Sequence, residues 1–391
     1  MSDLFEDHIP LLRPWMGEEE VRAAADVIRS GWVSLGPRVG EFEKGVAAYV
    51  GAKFGVATNA CTSAMHLSLR LSGIGPGDEV IVPSFTCMAT ANAIHLAGAE
   101  PVFADIDPRT FNLDPMAAEE AITPRTRSIL VVHQIGLAAD VDAFRAIAAK
   151  HGLVLIEDGA CSLGAAYKGR RVGALGTPTS FSFHPRKMIT TGEGGMITTD
   201  DATLAEKARV LRSTGASISD LERHKAKGVL IQTYEDTGYN YRMTDIQAAV
   251  GLVQLTRIEA MLAQRSAQAR RYDDAFTRLQ EIEPPYVPPH SSHAYTSYLV
   301  RLRPGTRVTR DQVLRRMAER GISCRIGIQP LHREPFYSGR CGGMHLPATE
   351  EAAASTLFLP IFPGLTESQQ ERVISGLEES LLTSSSIQVP A

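Results

Sequence analysis

The chain has few cysteines, no block of basic residues and no long apolar run. Each lack excludes something. Its five cysteines (Cys61, Cys87, Cys161, Cys324 and Cys341) are odd in number and scattered, and none forms a CxxC. That argues against a disulfide framework and for free thiols in a reducing, cytoplasmic compartment. Cys341 and His345 have a loosely ligand-like spacing, but no second pair accompanies them. A zinc site needs three or four convergent ligands, so no metal is expected. With a net charge of −4 and no basic cluster, neither nucleic acid nor an anionic membrane is expected as a partner. The N-terminus, Met1-Ser-Asp-Leu-Phe-Glu-Asp-His, is acidic and lacks the apolar core of a signal peptide. No apolar run approaches the roughly 20 residues of a membrane span. Internal repeats and low-complexity segments are also missing.

What remains is an ordinary globular composition, 44% hydrophobic and 21% charged. A length of 391 residues is long for one core and implies two lobes. An extended entry at Pro10 to Pro14 leads to a helix opened by Glu18, Glu19 and Glu20, acidic where the dipole favours it. A second helix spans about residues 39–49. From residue 54 to 99 the pattern is strand, helix, strand, helix. Gly73-Ile-Gly-Pro-Gly77 superficially has the spacing of a dinucleotide loop, but it precedes a strand and reads as a turn. Further apolar runs of strand length lie at residues 101–105, 128–133 and 153–158, with helices at about 115–122 and 141–151 between them. Apolar strands separated by helices imply a mainly parallel sheet buried on both faces. Ligands of such sheets gather at the carboxyl ends of the strands. Residues 217–236 read as a mobile excursion. Residues 244–279 read as a helix broken near Thr256. The proline-rich residues 284–290 lead to a smaller α+β unit, with strands at 298–302 and about 322–326 and helices at 310–320 and 367–382. The tail from Ser384 reads as frayed. The expected domains are 1–258 and 259–391.

The candidate site centres on Ser182-Phe-His-Pro-Arg-Lys187-Met-Ile-Thr-Thr-Gly-Glu-Gly-Gly195. A lysine fixed on a turn between strands and partly desolvated has a lowered pKa and can attack a carbonyl as a Schiff-base former. The plainer alternative is a surface lysine in a glycine-rich loop. Asp158 falls at a strand end, where it could also cap a helix. Asn59-Ala-Cys-Thr-Ser63 precedes a helix. Thr62 and Ser63 there could cap it or, with its free N–H groups, hold a phosphate. Glu193 could be a surface carboxylate and His184 a packed loop residue. An acid, a lysine and a phosphate cup are what pyridoxal 5′-phosphate requires: the acid keeps the ring nitrogen protonated and the lysine carries the aldehyde.

These stretches, with Ser30-Gly-Trp32, Gly75 to Thr86, Glu157-Asp158, Leu163-Gly-Ala, Tyr167-Lys-Gly-Arg170 and Gly238-Tyr-Asn-Tyr-Arg-Met-Thr-Asp245, resemble the nucleotide-sugar aminotransferases of the DegT/DnrJ/StrS family. The match runs over nearly the whole chain. The resemblance implies an α/β, aspartate-aminotransferase-like fold (pyridoxal-phosphate fold type I), with a large domain on a mixed, mainly parallel sheet and a smaller α+β C-terminal domain. It implies that Lys187 bonds the cofactor and shuttles the substrate proton, that Asp158 pairs with the pyridine nitrogen, and that Thr62, Ser63 and Ser182 hold the phosphate. Asn240 is expected to reach the phosphate of a neighbouring subunit, hence a homodimer with shared sites. Cys87 stands where relatives often stack an aromatic residue on the ring, and Cys161 where they often place Gln or His near the ring hydroxyl. Trp32, His184, Glu193, Arg325 and His332 are candidate substrate contacts. The implied reaction moves an amino group from L-glutamate to a nucleotide-linked keto-sugar. The His-x-x-Lys and Ile-Thr-Thr-Gly-Glu-Gly-Gly pattern resembles enzymes that aminate C4 of a 4-keto-6-deoxy sugar. The products of such enzymes feed polysaccharide or antibiotic glycoside synthesis. The rival readings are a sugar dehydratase, whose known relatives replace the lysine with histidine, and a non-catalytic protein on the same scaffold.

Overall fold

The computed structural model describes residues 8–218, 230–234 and 236–382. Most of the excursion expected at 217–236, and the tail from Ser384, lie outside the described residues. Fourteen strands are described: β1 Phe54–Thr58, β2 Glu79–Pro83, β3 Glu100–Ala104, β4 Thr126–Val132, β5 Val154–Asp158, β6 Ala166–Tyr167, β7 Arg170–Arg171, β8 Thr179–Ser182, β9 Gly195–Thr199, β10 Ile282–Glu283, β11 Ser291–Ser292, β12 Tyr298–Leu302, β13 Arg325–Ile326 and β14 Thr356–Leu359.

Seven of them form the main sheet, in the order β1-β9-β8-β5-β4-β2-β3. All its pairings are parallel except those of β9, which runs against both β1 and β8. Side chains alternate strictly between two apolar layers, as the pleat requires. Val80, Val82, Leu130, Val132 and Ile156 face one layer, with Met65 and Ile94 of the helices Cys61–Leu71 and Met88–Leu96. Ile81, Ile129, Val131 and Leu155 face the other, with Phe42 and Phe144 of the helices Pro37–Val50 and Val141–His151. The sheet is therefore mixed, mainly parallel and covered on both sides.

The smaller unit is an antiparallel sheet, β10-β12-β14-β13, backed by the helices Arg310–Glu319 and Glu367–Leu381. Its core includes Tyr298, Val300, Leu357, Val313, Val373 and Leu377. β14 went unread in the sequence; it follows directly on the helix Pro347–Ser355.

The helical stretch read from 244 to 279 is two helices, Asp245–Thr256 and Ile258–Phe276, bent by 58° at Arg257. The expected domain boundary falls at this bend, but the second helix serves both cores. Ile258 and Met261 belong to the large one, and Ala269, Tyr272 and Phe276 to the small one. Ile9 also packs in the small core, bridging in parallel to Ile322, although it precedes the whole large unit in sequence. No single helix among the described residues is long and apolar enough to cross a membrane.

Candidate active site

The site is built where the sheet register places it. Thr58, Gly195 and Ser182 sit side by side across β1, β9 and β8, and Asp158 lies opposite Ser180 of β8. Because β9 is antiparallel, the loop 183–194 that carries Lys187 projects from the carboxyl ends of β1, β5 and β8.

The helix Cys61–Leu71 starts three residues earlier than the sequence suggests. Its N-cap is Ala60, and no side chain among the described residues caps it. Ser63 does not cap; its hydroxyl donates to Asn59 Oδ1 at 2.7 Å. The first-turn N–H groups are thus left for a ligand, at the positive end of the helix dipole. Asn59 also ties this cup to the segment of Asn240. Its amide donates to the Asn240 carbonyl at 3.4 Å, and its backbone N–H to that of Tyr241 at 2.9 Å. The Asn240 side chain belongs to an exposed residue. Gly195 makes the cup possible: a Cβ there would meet the Ala60 carbonyl group and lie 2.6 Å from the Cys61 nitrogen.

Asp158 is 3% exposed. One carboxylate oxygen accepts the Ala160 N–H at 3.0 Å, and the other accepts the Thr90 hydroxyl at 2.8 Å. Its neighbour Glu157 points to the opposite face, where His133 Nε2 lies 2.7 Å away; both residues are fully buried. His133 Nδ1 accepts the Ala139 N–H at 3.0 Å, so the ring proton sits on Nε2 and is donated to Glu157. Neither His133 nor Thr90 was singled out from the sequence. Both lie within apolar runs and read as core.

Lys187 is half-buried, and its Nζ donates to Cys161 Sγ at 3.1 Å. Burial pushes its pKa down, as the sequence suggested. The nearby Cys161, Asp158 and Cys61 outweigh that and hold it above the ordinary lysine value. The expected net lowering is therefore corrected: the neighbouring acidic groups decide the sign. The Cys61 thiol is pushed up, first by burial and then by Asp158.

The remaining candidates are more dispersed. Ser182 accepts the His184 N–H at 3.4 Å. His184 uses Nδ1 to accept the Arg186 N–H at 3.1 Å, and its Nε2 lies 3.9 Å from the exposed Glu193. Cys87 is the exposed N-cap of the helix Met88–Leu96. Trp32 packs on Gly36, whose backbone N–H donates to Asp245 at 2.9 Å. Asp245 also accepts from Arg38 and Val39, fixing the start of the helix Pro37–Val50. Arg325 is exposed on β13. His332 is buried, with Ser84 Oγ 2.7 Å from Nδ1 and Glu350 Oε1 3.0 Å from Nε2. Both its nitrogens are engaged, so the expected substrate contact does not fit its position; it joins the small unit to the end of β2.

A lysine, a buried acid and an uncapped helix start at the carboxyl ends of a mainly parallel sheet define a pyridoxal-phosphate enzyme of fold type I. The profile of the DegT/DnrJ/EryC1/StrS aminotransferase family matches residues 14–378. The chain belongs to that family, and it is a pyridoxal-phosphate-dependent sugar aminotransferase. It is 42% identical over 384 residues to GDP-perosamine synthase of Caulobacter vibrioides, covering 98% of this chain and 100% of that one. It is 40% identical over 375 residues to the spore coat polysaccharide biosynthesis protein SpsC of Bacillus subtilis, covering 95% and 96%. Among solved structures, DesV of S. venezuelae, in complex with a ketimine intermediate, is similar with a TM-score of 0.88 at 37% identity, covering 96% of this chain and 99% of that one. The sugar aminotransferase Spr1654 of Streptococcus pneumoniae, described as putative, is similar in its PMP form with a TM-score of 0.89 at 29% identity, covering 95% and 99%.

Proposed function

We propose that this chain transfers the amino group of L-glutamate to the ketone of a nucleotide-linked sugar, with C4 of a 4-keto-6-deoxy sugar as the acceptor. The observation that carries the reading is the convergence of Lys187, Asp158 and the uncapped helix start at Ala60 on one end of the sheet. The residues present fit pyridoxal 5′-phosphate: an uncapped helix start for the phosphate and a buried, hydrogen-bonded carboxylate for the ring nitrogen. When bound, the cofactor withdraws electrons from the carbon next to the transferred nitrogen.

The protein supplies the rest. The first-turn N–H groups, with Thr62, Ser63 and Ser182, hold the phosphate. Asp158 holds negative charge at a fixed place because two donors pin its oxygens. Lys187 Nζ holds and moves the substrate proton, with Cys161 as its hydrogen-bond partner. His184 and Glu193 border the lysine loop on the sugar side. The name of the GDP-perosamine synthase relative supports a nucleotide-linked sugar. A cytoplasmic homodimer, in which Asn240 reaches the partner's phosphate, completes the reading.

The test is to add cofactor to the purified protein, record the visible band, reduce with borohydride and locate the adduct by peptide mass. The adduct is expected on Lys187. L-Glutamate is expected to bleach the band and release 2-oxoglutarate, after which nucleotide-linked ketones are screened. A protein that gives no lysine-linked band overturns the reading in favour of a non-catalytic role.

A further inference from the structure

The carboxylate of Asp158 is not held by backbone alone. Thr90 Oγ1 lies 2.8 Å from Asp158 Oδ2, and Thr86 Oγ1 lies 3.1 Å from Thr90 Oγ1. All three residues are at most 3% exposed. Hydroxyl bookkeeping fixes the direction of this chain. An ionised carboxylate only accepts, so the single proton of Thr90 goes to Asp158, and the Thr86 hydroxyl must donate to Thr90. Two hydroxyl dipoles therefore point in series at the acid. Such chains polarise one another, and burial strengthens each link.

We propose that Thr90, backed by Thr86, is a positioning residue that keeps Asp158 ionised and so keeps the proton it shares with the cofactor on the ring nitrogen. The inference rests on the proposed pairing of Asp158 with that nitrogen. A carboxylate and a pyridine compete for one proton. Hydrogen bonds to the charged form of the acid favour that form and leave the proton on the ring. The ring is the better electron acceptor while it carries the proton. The two threonines sit at the start of the helix Met88–Leu96 and just before it, so the end of β2 sets their place. Ser84, in the same segment, is bonded to His332 of the small unit at 2.7 Å, which anchors the segment from the other side.

The experiment compares Thr90→Val, which keeps the shape and removes the hydroxyl, with Thr90→Ser, which keeps the hydroxyl and removes a methyl. Each protein is loaded with cofactor labelled with ¹⁵N in the ring, and the ring-nitrogen resonance and the glutamate half-reaction are both measured. In Thr90→Val the resonance is expected to move toward the unprotonated value. The half-reaction is expected to slow by about 10–100-fold, the scale of one lost hydrogen bond to a charged group. Thr90→Ser is expected to restore both. Thr86→Val, which removes only the outer link, is expected to move both in the same direction by less. An unmoved resonance in Thr90→Val overturns the proposal, and so does failure of the serine variant to restore it, since packing would then be the role of Thr90. The wild-type lysine-linked band is the control for the underlying site: its absence would bring down the aminotransferase reading, whereas its presence with an unmoved resonance brings down only the role of Thr90.

Discussion

Gly195→Ala tests how the phosphate cup is shaped. The added Cβ would stand 2.6 Å from the Cys61 nitrogen, where ordinary contact begins at 3.4 Å. The obstacle is backbone on both sides, because Gly195 is paired to Thr58 of β1 and Ser182 of β8. No rotamer can relieve it, and because the Ala60 carbonyl group stands closer still, the helix start must retreat by about 1 Å. Overpacking of this kind costs about 1–3 kcal/mol of stability. The retreat also misaims the first-turn N–H groups. Losing about one hydrogen bond to a charged phosphate weakens cofactor binding by roughly 10–100-fold. The assay is a titration of cofactor-free protein with pyridoxal 5′-phosphate, alongside urea unfolding without cofactor. Gly73→Ala is the control. Gly73 has a left-handed backbone (φ +80°), unlike Gly195, and nothing lies within 4 Å of its Cβ position. It is expected to lose roughly 1 kcal/mol of stability from backbone strain and no cofactor affinity. If Gly195→Ala binds cofactor as tightly as the wild type, the close approach of β9 does not shape the cup.

Two further outcomes follow from charges away from the cup. Burial raises the pKa of the Glu350 carboxyl, but hydrogen bonds from His332 and Arg333 outweigh it and hold the value at about 2, below the ordinary 4.5. Its contribution to stability is therefore present above the ordinary value and lost as pH falls toward 2. Glu350→Gln is expected to flatten the stability curve across that window in urea unfolding at stepped pH; an unchanged slope would refute the assignment. Asp245→Ala leaves the N–H groups of Gly36, Arg38 and Val39 without their carboxylate and is expected to cost about 2–4 kcal/mol. A urea midpoint shifted no more than by Asp26→Ala, at an exposed surface pair, would show that those bonds contribute little.

The sequence pattern disclosed the sheet because its strands are short apolar runs bounded by turns; it offered Asp158 as a charged residue at a strand end and Lys187 as the lysine of a glycine-rich loop between two strands. It did not disclose strand direction. The run 195–199 reads the same either way, and only the hairpin geometry from β8 makes β9 antiparallel. Thr90 and His133 were hidden for the opposite reason to Lys187: small or neutral polar groups in apolar segments look like core, and only their partners reveal them. The start of the helix Cys61–Leu71 was placed late because the polar residues at 59–63 resemble a turn. The sign of the Lys187 shift depended on Cys161 and Asp158, which lie far from it in sequence. The role of Asp245 was likewise out of reach, since its three donors lie more than 200 positions earlier.

The placement of Ile9 bears on how the chain is made. Ile9 donates its N–H to the Gly321 carbonyl at 2.8 Å and accepts from Ser323 at 2.9 Å, and the Leu11 carbonyl accepts from Ile361 at 3.2 Å. These partners leave the ribosome some 300 residues later. At the usual pace of synthesis the delay is roughly 15 seconds to a minute. During that interval the large unit can form, while the segment around Ile9 waits for its partners. A segment translated ahead of the large unit is thus seated only after that unit has been made, and the small unit draws part of its core from residues on the far side of the large one in sequence.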